Sequence, residues 1–375
     1  MLKALASPRI AVVCLFLLFV LTFWGTVAQV DHGLYYAQQR YFQSFFFLVL
    51  GFIPFPGAQM VLWVLFFNLL AATITRFWLY RSLNKAGILI IHFGLLLYFA
   101  AAFIIFHVTQ EGNVHLSEGQ GTNLASSYHQ WEIAFWAPDR NIRGQAATIT
   151  REVTAFDATA LKAGDAILFN NPAFSVTVEQ FYLNCSAYTK ALPPSGQRYA
   201  NASGITLLQP KNLLKEREKN IAGGMFGLKA KSGHQYTLLL YGMESKPTVI
   251  RISGKKYHFA LRHKTYVLPF TLRLDEFKAE FHPGTKTAKS FESMVTLIKP
   301  DSSRQTRIYM NNPLRYKDYA FYQASYDIDA QGRKYSTLAV VKNAGQVLPY
   351  VASLTVFFGL AFHFAMAAFR RKAAQ

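Results

Sequence analysis

Four apolar runs, each close to the roughly 20 residues a helix needs to cross hydrocarbon, decide most of what this chain can become. They cover about 10–30, 59–79, 87–107 and 347–369, and contain no Asp, Glu or Lys. Lipid offers no partner for free backbone N–H and C=O groups, so such runs can only be helices. A composition 52% hydrophobic and 16% charged fits a membrane protein rather than a water-soluble one.

The charges then orient the spans. Every acidic residue is Asp31 or lies between 108 and 345, whereas Lys3, Arg9, Arg76, Arg81, Lys85, Arg370, Arg371 and Lys372 crowd the ends of the apolar runs. By the positive-inside rule these ends are cytoplasmic. The prediction is a multi-pass membrane protein. Its membrane domain occupies 1–107, with an outer loop 31–58. A large extracytoplasmic domain occupies 108–346, and a fourth span with a basic tail occupies 347–375. Trp24, Trp63, Trp78 and Tyr80 stand near the boundaries, as an aromatic belt would. A second reading makes 1–28 a signal peptide cut after Thr26-Val-Ala28; charge does not separate the two. The apolar run 45–53, too short to span and followed by Pro54-Phe-Pro-Gly57, is expected to be an interfacial helix.

Within 108–346 the runs 174–182, 236–241, 248–252, 256–261 and 270–274 are rich in β-branched and aromatic residues and bounded by Gly, Pro, Asn and Ser. They predict strands, hence a β-rich, sandwich-like domain, with a small helical piece near 211–220. Two cysteines, Cys14 and Cys185, give neither a disulfide framework nor a Cys-x-x-Cys. Nucleotide loops, zinc spacings and nucleophile elbows are missing too.

Histidine placement carries what chemistry there is. His92 and His363 lie well inside spans, His107 at the end of one. An intramembrane imidazole needs a partner and marks function by default. His92 and His363 fall at comparable depth, as two axial ligands of a haem iron would. An interhelical hydrogen bond serves either of them equally well. Asn68 reads as packing glue, and Gly25-Thr26 with Gln29 as close helix contact or a bend. His115, His129, His234, His258, His263 and His282 have no metal-ligand spacing. In the stretch 313–326 the aromatics read as alternate core residues, with Arg315 and Lys317 solvated.

Several stretches together resemble the ResB-like (CcsB) family of cytochrome c biogenesis proteins. They are Trp24-Gly-Thr-Val-Ala-Gln29, Asn68-Leu69, His92-Phe-Gly94, Leu268-Pro-Phe-Thr-Leu-Arg-Leu-Asp-Glu-Phe277 with His282-Pro-Gly284, and Asn312-Pro-Leu-Arg-Tyr-Lys-Asp-Tyr-Ala-Phe-Tyr-Gln-Ala-Ser-Tyr326. The resemblance implies a subunit of the system II cytochrome c synthase. Such a subunit sits in a bacterial inner (cytoplasmic) membrane, works with a CcsA/ResC-type multi-span haem-handling protein, binds and exports haem, and supports its covalent attachment to apocytochrome c. It further implies that His92 is the metal ligand of a non-covalent haem b in transit, that catalytic residues belong to the partner, and that His363 is a packing residue. Two other functions stay open: a membrane-anchored scaffold that docks apocytochrome or assembles a respiratory complex without binding haem, and a transporter. Four spans lack the repeats a transporter needs.

Overall fold

A computed structural model describes residues 2–79, 86–137, 153–158, 161–167, 174–190, 199–285 and 288–373. The segment 80–85, on which the prediction for Tyr80, Arg81 and Lys85 falls, lies outside the described residues. The chain divides into two compact units, one made of Met1–Gln110 and Lys342–Gln375, the other of Glu111–Val341.

In the first unit the helices are α1 (Leu2–Leu5), α2 (Pro8–His32), α3 (Leu34–Ala37), α4 (Ala58–Leu79), α5 (Ala86–Val108) and α6 (Leu348–Ala373). Four of them, α2, α4, α5 and α6, are long and apolar enough to span a membrane. Ser7 caps α2 through the Arg9 N–H and Pro8 opens it, the arrangement that suits a helix start. Buried Asn68 donates its amide to the Leu5 and Ser7 carbonyls, the latter at 3.0 Å. It thus ties α4 to carbonyls at the junction of α1 and α2, and the reading of Asn68 as glue stands. Gly25 packs under the ring of Phe42, to which a Cβ would come within 2.7 Å.

One expectation fails here. The run 45–53 is not an interfacial helix: β1 (Phe46–Val49) and β2 (Ile53–Pro56) form an antiparallel hairpin, Phe47 opposite Phe55. Leu50 and Gly51 take positive φ at its tip, a tight turn that apolar content alone does not announce. Alternate residues Phe47 and Phe55 turn inward, onto Trp24 at ring-centroid distances of 6.3 and 5.5 Å.

Helix α5 lies between two neighbours. Toward α6 it presents Gly87, Gly94 and Ala101, its three buried residues. A Cβ on Gly87 would stand 2.6 Å from the His363 Cβ, and one on Gly359 would stand 2.8 Å from the Ile91 nitrogen. Small residues here let two backbones meet, as membrane helices require. Toward α4 it presents Phe103, Phe99 and His92, which meet Trp63, Phe66 and Thr73. At 100° per residue these two faces are roughly 150° apart.

The second unit contains β3 (Gln110–Ser117), β4 (Gly121–Trp136), β5 (Thr154–Asp157), β6 (Ala166–Ile167), β7 (Phe174–Tyr182), β8 (Cys185–Tyr188), β9 (Leu207–Pro210), β10 (Gly223–Ala230), β11 (Gln235–Tyr241), β12 (Thr248–Ile252), β13 (Lys255–Phe281), β14 (Ala288–Ile298), β15 (Ser303–Tyr309), β16 (Leu314–Tyr316), β17 (Tyr319–Ile328) and β18 (Lys334–Lys342). The strands expected at 256–261 and 270–274 are one strand, β13, of 27 residues. Pro269 falls where its pairing with β4 breaks between Val267 and Leu272, so the proline costs no ladder hydrogen bond. The helical piece near 211–220 shrinks to one 3₁₀ turn, Arg217–Lys219.

Two cores share β4 and β13. In the first, Phe135, Phe259 and Trp131 face Phe174, Val178, Phe226 and Leu238 of the four-stranded sheet β11-β10-β7-β6. That half is sandwich-like, as expected. In the second, the order β15-β14-β13-β4-β3-β18-β17-β16 curls until its end strands meet at the Tyr309–Asn312 bridge. Phe270, Phe277, Phe321 and Leu338 fill the interior. Each such side chain contributes about 1.5–3 kcal/mol on burial.

Cys14 and Cys185 are both free and buried. Burial pushes the Cys185 thiol up to about 11, against a small opposing pull from Lys211. At pH 8 its thiolate is then about a thousandth of the population. Maleimide should leave Cys185 unlabelled in the folded protein and label it fully in denaturant. Rapid native labelling, read by mass spectrometry, would contradict this packing.

Candidate functional site

His92 meets α4 through the hydroxyl of Thr73. It sits six residues into α5, about 9 Å along the axis at 1.5 Å per residue. It is half-buried, and its Nδ1 lies 3.2 Å from the Thr73 Oγ1 of α4. The Thr73 hydroxyl has a single proton and gives it to the Leu69 carbonyl one turn earlier, at 2.7 Å. Its oxygen is therefore left to accept, so Nδ1 of His92 carries the hydrogen. In a neutral imidazole of that tautomer the lone pair is on Nε2. A histidine whose Nδ1–H is held by the protein while Nε2 presents a lone pair is the arrangement that metal ligation uses.

Sequence reasoning did not find Thr73. A signal was present: Thr73 and His92 are equally far in sequence from the centre of the short segment joining α4 to α5. An antiparallel helix pair brings such positions level. Replacing Thr73 by Val keeps the shape and deletes the acceptor. If His92 ligates a metal, that change should weaken binding about 10–100-fold, the usual effect of losing such a support. A metal or haem titration of wild type and Thr73→Val measures it; identical affinities would show that the hydroxyl sets nothing.

The other intramembrane histidine is not brought to His92. His363 stacks its own backbone and Cβ against Gly87 on the α6 side of α5, whereas His92 points to α4. It is a packing position. Among the described residues no three His, Cys, Asp or Glu side chains gather as a metal site.

Three of the remaining histidines lie in packing contacts of the β-rich unit. His263 stacks on Trp131 with ring centroids 3.9 Å apart, and its neighbour His129 occupies a bulge where residues 127–130 of β4 face Lys264. Burial holds both imidazoles below the ordinary histidine range, with nearby Glu218 and Glu111 pulling His129 the other way. His115 meets Thr337 at 2.9 Å and stacks on Tyr335.

The stretch 312–326 serves the second core. Leu314 and Phe321 are buried in it, and Tyr316, Tyr319 and Phe321 all meet the Phe270 ring edge-on at 5.3–5.9 Å. Gln323 joins the fully buried Ser293 and Ser336 at 2.7 and 3.0 Å. Arg315 and Lys317 are exposed. The aromatics of this stretch thus pack the second core, as their alternation predicts.

Comparison with known proteins bears on the second unit. Residues 220–334, from just before β10 to the start of β18, match the ResB-like family. Over 95 residues the chain is 34% identical to Protein NrfI of Wolinella succinogenes, a stretch that is 25% of this chain and 10% of that protein. The chain therefore spans about a tenth of the length of the curated relative it matches. The family match does not reach α5, so the reading of His92 rests on its own geometry.

Proposed function

We propose that this chain, a ResB-like membrane protein, is the haem-binding membrane subunit of a cytochrome c synthase, with His92 as one axial ligand. The observation that carries the reading is the Leu69–Thr73–His92 relay, which supports an imidazole that donates from Nδ1 within an apolar span. The ResB-like match supports the biogenesis role, and the four spans support membrane residence. Haem, when bound, would supply the iron and the vinyl groups that form thioethers with apocytochrome thiols.

Each part of the chain has a task in this reading. His92 would hold the iron, Thr73 would hold the imidazole, and α6 holds α5 in place. A multi-span partner of the CcsA/ResC type would share the haem with this chain. The β-rich unit stands on the extracytoplasmic side, where apocytochrome arrives. The basic span ends, Lys3 and Arg9 among them, face the cytoplasm by the positive-inside rule.

The test is to co-express this chain with such a partner, purify the pair in detergent and record its haem spectrum. Haem staining of c-type cytochromes in a deletion strain follows. Bound haem that depends on this chain, with loss of mature cytochromes on deletion, is the expected result. Full haem occupancy of the partner alone would sink the ligand role and favour the docking scaffold. Normal cytochromes in the deletion strain would sink both.

A further inference from the structure

The hairpin of β1 and β2 is built for an apolar medium. Phe45, Phe46, Leu48, Leu50, Phe52 and Ile53 are 51, 57, 50, 79, 71 and 44% exposed, a larger apolar surface than water-facing loops carry. From Arg40 to Arg76 the sequence has no charged residue between them.

The backbone is the harder problem. An open hairpin has outward N–H and C=O groups, which lipid cannot satisfy. Here the outward donors of β2 are absent. Gly57 donates to the Phe45 carbonyl at 2.8 Å, and Phe47 stands opposite Phe55. The alternation of an antiparallel ladder then turns positions 54 and 56 outward, and both are proline. On β1 the outward Leu48 carbonyl accepts from the Arg40 guanidinium at 2.6 Å. That guanidinium also lies over the Tyr36 and Phe47 rings, at 5.7 and 5.6 Å, and donates to the Tyr36 hydroxyl. The guanidinium thus reaches the hairpin at the Leu48–Pro54 pair, where a snorkelling arginine can hold the water–lipid boundary and leave the turn beyond it.

We infer that this hairpin is a wedge that sets Leu50, Gly51 and Phe52 into the bilayer leaflet at the end of the α2 and α4 spans. Two observations favour lipid over a protein partner. A partner strand adding to β2 would need the edge donors that Pro54 and Pro56 remove. The hairpin also runs without a break into α4, whose own exposed residues face lipid. The inference needs only the spans; it does not depend on haem.

Nitroxide labels on Leu50→Cys and, separately, Phe52→Cys test it, both in a Cys14→Ala/Cys185→Ala background. The full chain is reconstituted in phosphatidylcholine–phosphatidylglycerol vesicles, and collisions with oxygen and with a water-soluble nickel chelate are compared. Phe357→Cys, on the 70% exposed face of α6, gives the lipid reference. Lys231→Cys, in the turn between β10 and β11, gives the water reference. The expected shift is an oxygen-to-chelate ratio at 50 and 52 that moves to the Phe357 value. A ratio like that of Lys231 places the tip in water and overturns the inference. Collisions with neither reagent mean a protein covers the tip, and overturn it equally.

Discussion

Replacing His92 by alanine should strip haem from the purified complex and abolish maturation of c-type cytochromes. Removing the imidazole removes the only ligand this chain is proposed to give, so any haem that the complex still holds should show a changed spectrum. The protein should still fold: His92 is half-buried, and the Phe66–Phe99 and Trp63–Phe103 contacts keep α4 on α5. Imidazole added to the His92→Ala complex should restore part of the haem signal, because the cavity and the Thr73 acceptor remain. That rescue separates a ligand from a packing residue. A mutant with full haem and normal cytochromes would leave His92 as an interhelical hydrogen bond, the other reading its sequence context allowed.

The second large effect is expected in the cores. Phe226 and Phe321 are both fully buried, one in each core of the β-rich unit. Cutting either to alanine should cost about 3–5 kcal/mol through lost burial and the cavity left behind. What differs is where the damage spreads. Strand β13 runs through both cores, so its hydrogen-bonded ladder is the path between them. If the unit unfolds as one piece, amide exchange on Phe321→Ala will rise on β10 and β7 as well as on β14 and β17. If exchange rises only around the mutated core, the bulge at 127–130 divides the unit into two cooperative parts.

Much of this was legible in the sequence, and the misreadings have physical causes. Hydropathy places all four spans because lipid gives a helix no alternative. Asn68 was legible for the same reason, since a buried amide in a span must find a carbonyl. The run 45–53 was misread because apolar content was allowed to stand for helix. Its real signals were the Leu50-Gly51 turn and prolines at alternate positions, 54 and 56, which a helix does not tolerate and a hairpin edge does. Strand β13 was read as two because Pro269 usually ends a strand; only the pairing register with β4 shows that the chain passes straight on. Thr73 was hidden because a threonine in a helix commonly bonds its own preceding turn, as this one also does. Its second role depends on a neighbour nineteen residues away.

The seam of α5 and α6 has one more consequence. With Gly87 and Gly359 pressed against the opposing backbone, α5 has no room to turn or slide: a slip of one residue would drive an isoleucine into α6. If His92 is the ligand proposed above, it is a fixed post and not a carrier, and what it holds would leave by changing ligands. A disulfide between Ile105→Cys and Gly345→Cys, where Gly345 already lies against Ile105, should leave cytochrome maturation unchanged; a stalled complex, restored by reductant, would mean that α5 moves after all.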